Sequence, residues 1–327
     1  MVRHLIRILL SCLLLAYLAF QVDLPLIRTA FTRIHVGWYL LSTLFALAGA
    51  LFMSGKYRLL IRKTTLSQPF RRLLAIQFIS RFYALFLPTA LGPEAVRWYK
   101  ITRNRSGKPF FLAATVYERI LFLLVLTCFS VVPLFLIPLP APVVSLRTRL
   151  LPPALGLAAI LLSGLGYLLW PPFQHQVRRL IAGITRLRTD SRVNFFLADL
   201  ELKDRSPGLL ACLLLLTIGW QLFFLIRIYF LFCSLGLPFT LLEAAWMGSL
   251  VLFLQVLPIS FAGLGVREGA YAYLFPFYGA SAEQGLLMGV LFFFQMLIFA
   301  IIGAIFNLLE RETGDSQKNI ETRPKGK

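Results

Sequence analysis

Residues 73–97 read LLAIQFISRFYALFLPTALGPEAVR, and the fold turns on how this stretch meets the bilayer. Its apolar part, 73–91, approaches the ~20 residues that a helix needs to cross a ~30 Å hydrocarbon core. Working outward, residues 55–72 carry Lys56, Arg58, Arg62, Lys63, Arg71 and Arg72 and no acid. Residues 92–109 carry Arg97, Lys100, Arg103, Arg105 and Lys108 against one acid, Glu94. Cationic loops stay on the cytoplasmic side, so both flanks belong there. A single crossing would put one of them outside; the stretch is therefore expected to enter and return. Pro88 fits a broken helix, because proline removes a backbone donor and restricts the residue before it.

A second apolar stretch, 244–262, runs into Leu257-Pro-Ile-Ser-Phe-Ala-Gly-Leu-Gly265, where Pro258, Gly263 and Gly265 interrupt it. Leu87-Pro88 precedes Val96-Arg97 as Leu257-Pro258 precedes Val266-Arg267, with an offset of 170 throughout. The remaining apolar segments are 5–22, 36–54, 110–138, 150–170, 208–236 and 284–309. The expected fold is an all-α polytopic membrane protein with six crossings and two re-entrant broken helices, 73–91 and 244–262. The halves would form an inverted repeat, 1–172 and 173–312, followed by a cytoplasmic tail, 313–327. In this scheme 25 of the 33 Lys and Arg are cytoplasmic and five external; only Arg81, Arg119 and Arg227 remain. Both termini are then cytoplasmic, as expected for the inner membrane of a prokaryote. Val177, Leu180, Ile181, Ile184 and Leu187 recur at helical spacing among arginines, the pattern of a helix lying in the interface.

Composition agrees. The chain of 327 residues is 58% hydrophobic and 14% charged, with a mean hydropathy of +0.78; a soluble domain carries about 25% charged residues. The net charge of +19 sits in short loops beside apolar runs, which points to topology and anionic lipid headgroups rather than nucleic acid. Cys12, Cys128, Cys212 and Cys233 lie in apolar segments without a Cys-x-x-Cys pair and read as small buried residues. The three histidines are scattered, and neither a metal nor a cofactor is expected. The N-terminal run lacks a small-x-small cleavage site and reads as an uncleaved span.

Charges within the apolar segments are the candidate site, because an ionisable group near the bilayer centre costs at least ~2.5–3.5 kcal/mol and usually faces a partner, cavity or path. Glu118 and Arg119 lie about nine residues, ~13 Å, into 110–138. Neighbours on a helix diverge by about 100°, so each should meet a different segment. Arg97 and Arg267 follow the two broken helices, where a guanidinium holds phosphate in a bidentate grip. Backbone N–H groups at Gly92, Gly263 and Gly265 would add anion contacts if they open helices. Glu94 and Glu268 would neutralise these arginines before a ligand arrives. Arg81 is a weaker candidate. Arg227, ~27 Å along 208–236, is expected to snorkel at the outer interface. No Gly-x-Ser-x-Gly, His-Glu-x-x-His, Walker loop or Asp-x-Asp occurs.

At Leu87-Pro-Thr-Ala-Leu-Gly-Pro-Glu-Ala-Val-Arg97, Tyr117-Glu118-Arg119 and Leu257-Pro-Ile-Ser-Phe-Ala-Gly-Leu-Gly-Val-Arg-Glu268, the chain resembles the membrane region of lysylphosphatidylglycerol synthases, the flippase-like domain family. Motif order and spacing match over nearly the whole chain. Family members usually carry paired glycines and an acid where this chain has Gly92-Pro93-Glu94; Pro93 stiffens that turn. The resemblance implies movement of a phospholipid between leaflets, and a stand-alone member without the synthase domain. The expected function is a flippase-like transporter for an anionic or modified phospholipid or lipid-linked molecule, and not an enzyme. Arg97, Glu94, Glu118, Arg119, Arg267, Glu268 and Arg81 would form its binding path. The rival readings are a membrane-embedded transferase with Glu94 or Glu118 as base, and a scaffold for a lipid-modifying enzyme.

Overall fold

A computed structural model describes residues 34–62, 64–85, 92–103, 108–169, 207–256 and 263–321. The expected first span, the amphipathic stretch around Ile184, Pro88 and Pro258 lie outside the described residues. The helices are α1 Val36–Ile61, α2 Phe70–Ala84, α3 Gly92–Thr102, α4 Lys108–Val131, α5 Pro133–Leu136, α6 Ala141–Leu169, α7 Pro207–Ser234, α8 Leu241–Val256, α9 Val266–Leu274 and α10 Ala282–Glu321. A 3-10 turn, Phe275–Tyr278, follows α9. Among the described residues no strand occurs, and five spans are long and apolar enough to cross a bilayer: α1, α4 with α5, α6, α7 and α10. The all-α polytopic expectation holds.

The short helices α2 and α8, 15 and 16 residues long, rise only ~22–24 Å and cannot cross unaided. Each turns back. Gln68, before α2, donates through Nε2 to the carbonyl of Ile101, near the end of α3, at 3.2 Å. Leu66, Ile101 and Phe111 share one apolar cluster with Leu213 of α7. At the other end of α7, Phe232 stacks edge-on against Phe239, before α8, and Phe275, after α9, with centroids 5.1 and 5.5 Å away. Leu213 and Phe232 are ~28 Å apart along the helix. The hairpins α2–α3 and α8–α9 therefore enter from opposite ends of the bundle. Helix α1 packs along α7, α2 against α10, and α8 against α4.

Local chemistry sets the boundaries. Thr240 and Glu243 cap α8 reciprocally: Glu243 Oε2 accepts from the Thr240 N–H at 2.6 Å, and Thr240 Oγ1 accepts from the Glu243 N–H at 3.2 Å. Ser281 and Gln284 do the same for α10, each a Ser/Thr-x-x-Glu/Gln start. Gly263 and Gly265 adopt φ of +78° and +81°, which residues with a Cβ rarely reach. Helix α10 carries glycines where other backbones cross it. A Cβ on Gly303 would lie 2.1 Å from the Phe78 carbonyl oxygen of α2, and one on Gly285 would lie 2.5 Å from the Ala272 nitrogen of α9. Small residues allow this approach where lipid supplies no hydrophobic drive.

Several boundaries differ from the sequence reading. Segment 110–138 is not one helix, since Val132 is a turn before Pro133. Helix α6 begins at Ala141 and takes in Arg147, Arg149, Pro152 and Pro153, so the external loop assigned to those arginines is shorter. Helix α10 continues to Glu321, into the expected tail. Cys128, read as buried, is exposed on α4.

Candidate functional site

Between the two hairpins lies a cavity of about 230 Å³. Its walls carry Lys56, Arg81, Arg97, Arg119, Arg227 and Arg267, with Glu94 and Glu118 as the acids. Every long helix except α6 contributes, so the cavity exists only in the assembled bundle.

Glu118 of α4 pairs with Lys56 of α1 at 2.8 Å, both nearly sealed from solvent. Arg119, one residue on, reaches Glu94 of α3 at 3.5 Å. The two neighbours diverge to different segments, as helical geometry demands. Glu94 also faces Arg97 at 3.7 Å. Arg97 donates to the Tyr57 hydroxyl and lies 5.0 Å from that ring's centroid, while its Nε is buried without a partner. Glu94 Oε2 and Gln77 Oε1 are likewise buried and unpartnered; both side chains belong to residues that line the cavity.

On the opposite hairpin, Arg267 donates to Glu268 Oε1 from Nη2 at 2.6 Å and from Nε at 3.1 Å. Glu268 Oε2 accepts the N–H of Gly265 at 2.7 Å. One carboxylate thus starts α9 and neutralises its arginine, and the Gly265 N–H foreseen as an anion donor is already occupied. Gly92 is the first residue of α3 and is buried.

Sequence reasoning missed three residues. Lys56, counted as a loop cation, is in α1 and only 2% exposed. The apolar Leu59-Leu60-Ile61 beyond it was the signal that the helix continues. Arg227, expected to snorkel, lines the cavity. Its Nε donates to Gln295 Oε1 at 2.8 Å, and it stands 4.0 Å from the centroid of Phe292, the ring that Arg267 also faces at 4.7 Å. Depth along a helix says nothing about which way a side chain faces, and this face meets α1 and α10. Gln295 is fully buried and fixes the arrangement by donating to Ser42 Oγ at 2.9 Å and Thr43 Oγ1 at 3.1 Å.

A second cavity of about 70 Å³ adjoins the first. The two share Arg81, Trp220, Phe224, Arg227, Phe292 and Met296. The rest of the second wall is apolar: Phe45, Ala46, Gly49, Ala50, Phe223 and Phe299. Arg81 stands in the wall common to both and keeps exposed surface. The combined space has a cationic chamber and an aromatic cleft.

Comparison with curated proteins returned no match, and neither did comparison with solved structures. Residues 4–304 match the family described as the lysylphosphatidylglycerol synthase TM region, so the chain belongs to that family of membrane proteins, which is tied to lipid modification or flipping.

Proposed function

We propose that this protein is a flippase-like transporter that moves an anionic phospholipid or lipid-linked molecule between leaflets of the cytoplasmic membrane. One observation carries the reading: a chamber with six cationic side chains opens onto an aromatic cleft, within a bundle whose two broken hairpins enter from opposite ends. Charges this deep are retained where they face a substrate path. The two halves act as an inverted repeat, with α1 to α4 corresponding to α7 to α10. The packing of α2 on α10 and of α8 on α4 supports that correspondence, since a two-fold axis in the membrane plane exchanges the two contacts. Inverted repeats with discontinuous helices place substrate near the midplane and alternate its access.

In this reading the headgroup is received by Arg97 and Arg267 from the two sides and passes Arg81, Arg119 and Arg227. Glu94, Glu118 and Glu268 neutralise the cations between turnovers. The driving force is an ion gradient, the membrane potential or downhill flow. Purified protein in proteoliposomes provides the test. Inner-leaflet labelled phosphatidylglycerol should become accessible to an external quencher faster than in empty vesicles, and Arg97→Ala should slow this. No exchange above empty vesicles, over several headgroups, would turn the reading towards a transferase or a scaffold.

A further inference from the structure

We propose that the chamber selects a phosphate carrying at least two negative charges, a phosphomonoester or diphosphate at the end of a lipid, over the singly charged phosphodiester of common phospholipids. This rests on the transport reading above and specifies its substrate class. Charge balance carries it. Lys56 with Glu118 and Arg267 with Glu268 are neutral pairs. Glu94 is one carboxylate between two guanidiniums, Arg97 and Arg119. Among the described residues, neither Arg81 nor Arg227 has a carboxylate within ion-pair distance. Among the described residues, three positive charges therefore remain around one cavity. Arg227 and Arg267 face the same Phe292 ring, 4.0 and 4.7 Å from its centroid, and Arg81 shares a wall with Arg227, so the excess is concentrated rather than dispersed.

Buried charge is tolerated when it is paired. A zwitterionic headgroup brings no net charge and a phosphodiester brings one, leaving two cations uncompensated. A phosphomonoester brings roughly 1.5–2 negative charges near neutral pH, and a diphosphate brings more. Guanidiniums suit this chemistry because each holds two phosphate oxygens at once. Arg97 adds a buried, unpartnered Nε donor. Position matters equally: Arg81 and Arg227 belong to the wall shared with the aromatic cleft, so a phosphate held there directs its lipid chain into apolar surroundings. Free pyrophosphate offers the same charge without a chain.

The test is binding to the purified full chain in a maltoside detergent, by titration calorimetry. The probes are dioctanoyl phosphatidic acid, dioctanoyl phosphatidylglycerol and inorganic pyrophosphate. Phosphatidic acid should bind at least about tenfold tighter than phosphatidylglycerol, the scale of one added charge facing unpaired cations. Arg81→Gln or Arg227→Gln should remove most of that preference. Glu94→Gln should tighten phosphatidic acid binding, because it frees two guanidiniums; this arm keeps every cation in place should the arginine variants misfold. Equal affinity for the two lipids would overturn the selectivity and leave the lipid reading standing. Binding of pyrophosphate alone would overturn the lipid source. No binding by any probe would overturn both readings.

Discussion

Lys56 and Glu118 form the best-sealed ion pair between two helices among the described residues, and replacing one partner has a calculable effect. At 2.8 Å and an effective dielectric near 20, the two charges attract by about 6 kcal/mol. Desolvation offsets much of this, so the net worth of the pair is small while the loss of one partner is severe. The survivor is left charged and unpaired, which costs about 3–5 kcal/mol. Glu118→Gln should therefore lower the thermal midpoint in detergent by roughly 4–7 °C for a chain of this size, and Lys56→Met should do the same. The double variant, Lys56→Met with Glu118→Gln, removes both charges at similar volume and should recover most of the loss. Tryptophan fluorescence on heating, with all four proteins compared, reads the cycle. Additive losses in the double variant would refute the coupling and the reasoning from geometry. Recovered stability with transport still absent would place the pair on the substrate path; recovery of both would make it a helix lock.

Three further outcomes are expected. Gly303→Val should prevent close packing of α10 on α2, because a Cβ there would lie 2.1 Å from a backbone oxygen; overpacking of about 1–3 kcal/mol or more should appear as a lower midpoint and loss of monodisperse protein. Gly289→Ala should displace the Glu268 side chain, whose Cγ stands 2.6 Å from the added Cβ, and unbalance Arg267, slowing translocation more than it lowers the midpoint. In a cysteine-free background, Arg62→Cys and Arg103→Cys should react with an impermeant maleimide from one face of the membrane and Pro238→Cys from the other. Labelling of Arg62→Cys and Arg103→Cys from opposite faces would rule out the re-entrant α2–α3 hairpin.

Periodicity was not needed to read this chain as a membrane protein; apolar length and charge asymmetry sufficed. Basic runs on both sides of 73–91 indicated a returning hairpin, and the Gln68–Ile101 bond supplies the geometry. Helix spacing required that Glu118 and Arg119 find separate partners, and they meet Lys56 and Glu94. These properties are local or additive along the chain, so they can be read in one dimension. The partners themselves are 62 residues away for Lys56 and Glu118 and 68 for Arg227 and Gln295. Only packing decides which face of α7 meets α10, and so whether Arg227 snorkels or lines a chamber. The same holds for Lys56, a loop cation by composition and a buried one by the continuation of α1 against α4. Sequence determined a polytopic helical protein with broken hairpins and charges in lipid. The tertiary structure decided which of those charges are balanced, because pairing depends on distances between helices that share no local signal.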